Sequence, residues 1–182
     1  DKPIADLRAA LQQNGAGDAA SKVAAVGRQG HGVDNSTRTQ VRTAGAADQS
    51  WRRFAVVPVD DEYLRRNALK LQSLAAGYRD QQAVWNAVAT TPGLAVISAS
   101  AIPTGGFGDP NEFALTGVGN RQARFAPIAL DMRDPRTGTV GRVTVIGVVD
   151  RGVSDQAFSG VVVAQDTFEQ MFGPASLDTY FL

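Results

Sequence analysis

Residues Ser159–Gly173, SGVVVAQDTFEQMFG, read as a buried strand that passes into a short helix with almost no linker. Val161–Ala164 is the strand. Phe168, Met171 and Phe172 fall at i, i+3 and i+4, which gives the helix one apolar face. Asp166 and Glu169 stand in the D-x-x-E relation of a capping box. Gly173 fits a left-handed stop, and Pro174 prevents continuation. A helix of under two turns cannot stand alone in water, so the packing of Phe168 and Phe172 must hold it.

The remainder divides by period. Ile4, Leu7 and Leu11 lie on one helical face, with Pro3 at the first position and Gly15 as the stop, which predicts a helix over 3–14. SKVAAVGRQ (21–29) reads as a strand. The polar, Gly-rich residues 30–50 read as a loop with one polar edge strand at Thr39–Thr43. WRRFAVVPV (51–59) is a strand signal whose Pro58 favours an edge or a strand end. Residues 60–78 read as one helix capped by Asp60 or Asp61, with Leu64, Ala68, Leu71 and Ala75 as its stripe and Gly77 as its C-cap. Asp80 caps a second helix carrying Val84, Ala87 and Val88, and Thr91-Pro92-Gly93 ends it. LAVIS (94–98) is a short apolar strand. Three further strands are predicted at 112–118, 121–133 and 141–149, the last two joined by the turn DPRTG. TYFL opens a final strand. Helices lie mostly in the first half and strands in the second, an α+β pattern: a mixed helix and strand lobe over 1–100 and a strand-rich lobe with one short helix over 101–182.

At 182 residues the chain can bury roughly 70% of its unfolded surface and needs no disulfide or metal to hold a core. With 18 basic and 18 acidic residues the formal charge is zero, which excludes the basic excess of sequence-independent nucleic-acid binding. Arg52-Arg53 and Arg65-Arg66 are too short to form a basic patch. The absence of cysteine removes disulfides, thiolate-bound metals and thiol nucleophiles together. No apolar run approaches the ~18 residues of a membrane helix. The opening DKPIADLRAA carries neither an initiator Met nor a signal-peptide core, and is read as the start of a mature form or of a piece of something longer.

Catalytic chemistry finds little footing. His31, the single histidine, sits in the polar loop GHGVDN, where no packed carboxylate would hold it as a triad requires. One histidine cannot supply the multi-histidine sites typical of catalytic zinc. Asp60, Asp80, Asp134 and Asp166 read as caps or turns, and Glu62 and Glu169 lie in first helical turns, where the helix dipole accounts for them. TGGFGDP (104–110) lacks the Lys-Ser/Thr of a phosphate loop, and GVGN (117–120) is one short Gly-x-Gly. Both read as turns, so no catalytic, cofactor-binding or metal-ligating residue is assigned. Phe107, a large apolar side chain among glycines, either tucks back or forms a contact tip. Phe107 and Phe158 are the candidate partner contacts.

Several segments then align with a family. DDEYL after a strand, AAGYRDQQAVWNAVATTPGLAVIS, FALTGV, FAPIAL, VTVIGVVD and GVVVAQDTFEQMFG before TYFL occur in an order that resembles an extracytoplasmic domain of FtsX-like, MacB-type ABC transporter permeases. The resemblance spans most of residues 3–182, and its motifs are structural. It implies a MacB-like periplasmic core at the cell membrane, on the extracytoplasmic face. The partners it implies are the protein's own transmembrane helices, a separate ATP-binding subunit, and a cargo or extracytoplasmic protein. No cofactor and no nucleic acid are implied. The family's first leading strand and the elements after TYFL are absent here, so the last strand is expected to lack a neighbour. On this reading the joint at Val163–Asp166 is scaffold, and the domain tilts or closes as a rigid body when ATP hydrolysis moves the membrane helices. Two other readings stand beside it: a free solute- or partner-binding module, and an Asp-dependent hydrolase.

Overall fold

The computed structural model describes residues 2–21, 23–27, 39–66, 69–104, 111–120, 122–152 and 159–181. Five α-helices with full bounds are described, α1 (Lys2–Gln13), α2 (Gly17–Ala20), α3 (Asp61–Arg66), α4 (Gln81–Thr90) and α5 (Gln165–Phe172), together with a 3-10 turn at Ala99–Ala101. The strands are β1 (Ala24–Gly27), β2 (Gln40–Thr43), β3 (Arg52–Arg53), β4 (Val56–Val59), β5 (Leu71–Ala75), β6 (Leu94–Ser98), β7 (Arg124–Phe125), β8 (Ile128–Arg133), β9 (Val140–Val149), β10 (Val161–Ala164) and β11 (Leu177–Phe181). The fold is α+β.

All eleven strands belong to one mixed sheet, ordered β11-β1-β4-β10-β6-β9-β8-β2-β3, with β5 and β7 branching from β9. Strands from 1–100 and from 101–182 alternate within it, since β10 lies between β4 and β6. β9 is the hub. One edge runs parallel to β6, from Leu94↔Thr144 to Ser98↔Val149. Its other edge pairs first with β8, Arg133↔Val140 to Ile128↔Val145, and then with β5, Leu74↔Gly147 to Leu71↔Val149.

The centre of the sheet is buried on both faces. Every residue of β4 and β10, and Ala95–Ser98 of β6, is inaccessible, which matches their unbroken apolar sequence. α4 packs on β5, β6, β9 and β10, and α5 on β4, β9 and β10. Ala101, Ile102, Phe113, Leu115 and Val118 join the same core. α4 lies close: a Cβ on Gly147 would stand 3.0 Å from Val84 Cγ1. Phe168 and Phe172 meet at 5.3 Å between ring centroids, and Gly173, at φ +84°, ends α5, as the sequence requires of so short a helix.

Several expectations are corrected. Residues 60–78 are not one helix. α3 stops at Arg66, and Leu71–Ala75 form strand β5 with Leu71, Ser73 and Ala75 buried. Leu71 and Ala75 are four apart, a spacing that fits both periods, and the edge of β9 settles it as a strand. EFALTGV does bury Phe113 and Leu115 alternately, but its backbone divides its bonds: Phe113 N–H donates to Arg53 O and Leu115 N–H to Ala101 O. That leaves a single bridge, Arg53↔Glu112, and no strand. β2 is not an edge, because β3 pairs outside it. Pro58 lies in an interior strand. Val161 N–H donates to Ala55 O, so odd-numbered residues of β4 serve β10. The donor that Pro58 lacks would point toward β1, which meets β4 only at Val26↔Val59. The capping box does not form either. α5 begins at Gln165 with Ala164 as N-cap, placing Asp166 inside the first turn, and Glu169 Oε1 instead accepts from Gln165 Nε2 at 2.8 Å and Ala175 N–H at 3.3 Å. β11 does have a neighbour, pairing with β1 from Ala24↔Phe181 to Gly27↔Leu177.

Candidate functional site

Two of the predicted caps hold. Asp60 Oδ1 accepts from Tyr63 N–H and Asp80 Oδ1 from Ala83 N–H, each at 2.8 Å. Asp134 stays in its turn, accepting from Arg136 N–H at 2.8 Å. Glu62 pairs with Arg65 at 2.8 Å and with Arg66. Gly117 turns at φ +94°. Phe107, Phe158 and His31 lie outside the described residues.

The geometry gathers chemistry elsewhere, on the open end of the sheet. Alternation along β2, β8 and β9 puts Val41, Leu130, Met132 and Val143 on one buried face and the other set of side chains on the far face. Gly141 is the marker: a Cβ there would collide with Met171 of α5, so Arg142 points the opposite way. The cross-strand row Arg42↔Asp131↔Arg142 lies on that face. Asp131, whose side chain is only 6% exposed, accepts from Arg142 Nε through Oδ1 at 2.8 Å and from Arg42 Nε through Oδ2 at 3.1 Å. Arg142 and then Arg42 outweigh burial and hold its carboxyl below the usual 3.8. Two residues along β8, Arg133 donates through Nε to Gln40 Oε1 at 2.9 Å, and through a terminal nitrogen to the same oxygen. The Trp51 ring takes cation–π contacts from both Arg42 (4.3 Å) and Arg133 (4.7 Å).

A groove of about 810 Å³ adjoins this face, with Arg42 on the boundary. Ile102 and Phe113 give it apolar wall, and Asp48, Arg52, Glu112 and Arg151 give it charge. Arg151 donates to Ala99 O at 2.7 Å and Ile102 O at 3.0 Å, which fixes the turn beneath the wall. Asp48 is held down at about 2, by Ser50 first and then by Arg52. Beside the groove, Ser98, Ser100 and Ser159 form a hydroxyl chain at 2.6 and 3.2 Å. Among the described residues no carboxylate or imidazole bonds to it, so none of them serves as the base that would activate a nucleophile. Burial pushes Asp134 up, but Arg136 outweighs it and holds the group below its ordinary value. Among the described residues no cluster of three or more His, Asp or Glu could hold a metal ion, and no helix is long and apolar enough to cross a membrane.

The arginine face escaped the sequence reading because its members lie far apart along the chain, Arg42 from Asp131 by 89 residues and Asp131 from Arg142 by 11. The available signal was the polar member of each alternation: Q-V-R in β2, D-M-R in β8 and R-V-T in β9. No family model, curated protein or solved structure matches the chain.

Proposed function

We propose that the chain is a non-catalytic extracytoplasmic domain of an ABC transporter permease of the FtsX-like, MacB-type class, which couples the ATP-driven motion of membrane helices to the export or release of a substrate, or to a partner protein. One observation carries the reading. The first and last strands, β1 and β11, are antiparallel neighbours, and hydrogen-bonded pairing continues unbroken from them to β3 at the far side. A unit anchored where its outermost strands meet, and continuous from there onward, suits insertion between two helices and movement as one rigid body. The missing nucleotide loop agrees with an ATP-binding subunit that is separate.

The test is the reading frame outside residues 1 and 182. Apolar runs of about 20 residues on both sides, with an ATP-binding subunit encoded alongside, are the expected result. A cleavable signal ahead of Asp1 together with a stop soon after Leu182 overturns the reading. The groove beside Arg42 favours a second reading, a free partner-binding module, which that same outcome would promote. The hydrolase reading gains nothing from the described residues, where the two buried carboxylates, Asp131 and Asp134, are each held ionised by arginine.

A further inference from the structure

The three arginines of the open face share one feature that a purely structural role does not require. Arg42 and Arg142 are each tethered through Nε to one oxygen of the same buried carboxylate. Arg133 is tethered through its Nε side to Gln40. The terminal nitrogens of Arg42 and Arg142 carry no partner among the described residues, and neither does the second terminal nitrogen of Arg133. Asp131 therefore orients two guanidiniums at the cost of one charge, and the row keeps a net positive charge with its donor pairs outward. The side chain of Arg142 is 66% exposed and that of Arg42 27%.

We infer that this face is a docking surface for an extended acidic peptide segment of a partner protein. Three properties set the chemistry. Guanidinium forks with free terminal nitrogens match carboxylates in bidentate geometry. The spacing suits an extended chain: Arg133 lies two residues along and one strand over from both Arg42 and Arg142 on the same face, roughly 8 Å from each by backbone position. An extended peptide with acidic residues at alternate positions presents its carboxylates at a roughly 7 Å repeat, and the long arginine side chains span the small difference. The surface is also open and pre-ordered, since the Trp51 ring and the Gln40 amide hold Arg42 and Arg133 in place before any ligand arrives. That lowers the ordering cost of binding. Stacking of a nucleobase is disfavoured, because the only tryptophan on the face already carries two guanidiniums. The inference stands on this geometry alone, and its failure leaves the permease reading untouched.

The experiment is fluorescence anisotropy on the whole chain with a labelled peptide of alternating Glu and Thr, about ten residues long, against its Gln-for-Glu counterpart. The acidic peptide is expected to bind, the Gln peptide not to, and affinity is to fall as salt rises from about 50 to about 300 mM. Arg142→Gln and Arg133→Gln should each weaken binding about tenfold. Arg79→Gln, an 87% exposed arginine off this face, should leave it unchanged. Arg142 is exposed enough for its variant to fold, and a thermal melt of each variant confirms this. Equal losses in all three variants would reduce the effect to net charge and overturn the proposal. So would equal binding of the two peptides, or preferential binding to phosphatidylglycerol vesicles or to a single-stranded DNA oligonucleotide. Concentration-dependent self-association that outcompetes the peptide, through the acidic groove around Asp60, Asp61 and Asp166, also overturns it.

Discussion

The centre of the sheet and its open end are built from the same hydrogen-bonded ladder, and β9 passes through both, yet they obey different rules. In the centre, β4, β6, β10 and the second half of β9 lie between packed layers, and their side chains, the partly buried Leu94 aside, are apolar or small and buried. At the open end, β2, β8 and the first half of β9 bury one apolar face only, with Val41, Leu130, Met132 and Val143 inaccessible and Gly141 against α5. Their other face carries Arg42, Asp131, Arg133 and Arg142. Coverage rather than strand pairing decides the composition. A strand covered twice must be apolar throughout, and a strand covered once is free to hold charge on alternate residues. The far face of the open end is thus the part of the sheet on which the fold does not require apolar side chains, and it is where a binding surface can be written.

The largest expected effect lies at the centre. Ile97 is fully buried and pairs with Val161 and Val148. Ile97→Ala should cost about 2–5 kcal/mol, read as a lowered urea midpoint at unchanged slope. A loss below 1 kcal/mol, on the same ~2–5 scale, would mean that the centre is loosely packed. Gly160→Ala tests the same region from the opposite direction. An added Cβ would stand 2.8 Å from the Ala55 carbonyl oxygen and 2.9 Å from Val57 Cγ2. Overpacking against backbone should cost about 1–3 kcal/mol, measured in the same titration.

The open end responds to charge. Asp131→Asn removes the anion between Arg42 and Arg142 and should cost about 1–3 kcal/mol near neutral pH. The pH dependence follows from the direction of the shift. The folded carboxyl lies below its unfolded value of 3.8, so on acidification the unfolded state takes up the proton first. The stabilisation is complete above the unfolded value and is lost as pH falls through the folded one. Urea midpoints of parent and variant should therefore differ at pH 7 and converge as pH falls below 3.8, the side to which the carboxyl is shifted. A gap that is constant with pH would show that the carboxylate charge is not what Asp131 contributes.

The same contrast explains what could be read from the chain. The centre was legible because LAVIS, VTVIGVV and VVVA are unbroken apolar runs bounded by breakers, and α4 because Asp80 and Gly93 mark both of its ends. The break after α3 was hidden because Leu71 and Ala75 satisfy helix and strand periods alike, so only the tertiary edge offered by β9 distinguishes them. The arginine face was invisible for a related reason. Local pattern shows that Arg42, Asp131 and Arg142 are outward residues, but register, a property of paired strands, is what sets them in one row. The missed capping box belongs to the same class: β10 runs directly into α5 and fixes where the helix starts, whatever Asp166 could have capped.

The smallest effect makes the sharpest comparison, since it uses one substitution on one strand. Val140 opens β9 on the arginine face and is 51% exposed, while Val148, eight positions on, is fully buried between β5 and β6. Exchanging valine for threonine keeps the β-branched shape and adds a hydroxyl. At Val148 that hydroxyl leaves water for an apolar layer, and Val148→Thr should cost about 1–3 kcal/mol. At Val140 it stays hydrated, and Val140→Thr should change stability by less than about 0.5 kcal/mol. Parallel urea titrations of the two variants measure the difference directly. If Val140→Thr proved as costly as Val148→Thr, the open face would be covered in solution, and coverage would no longer separate the two ends of β9.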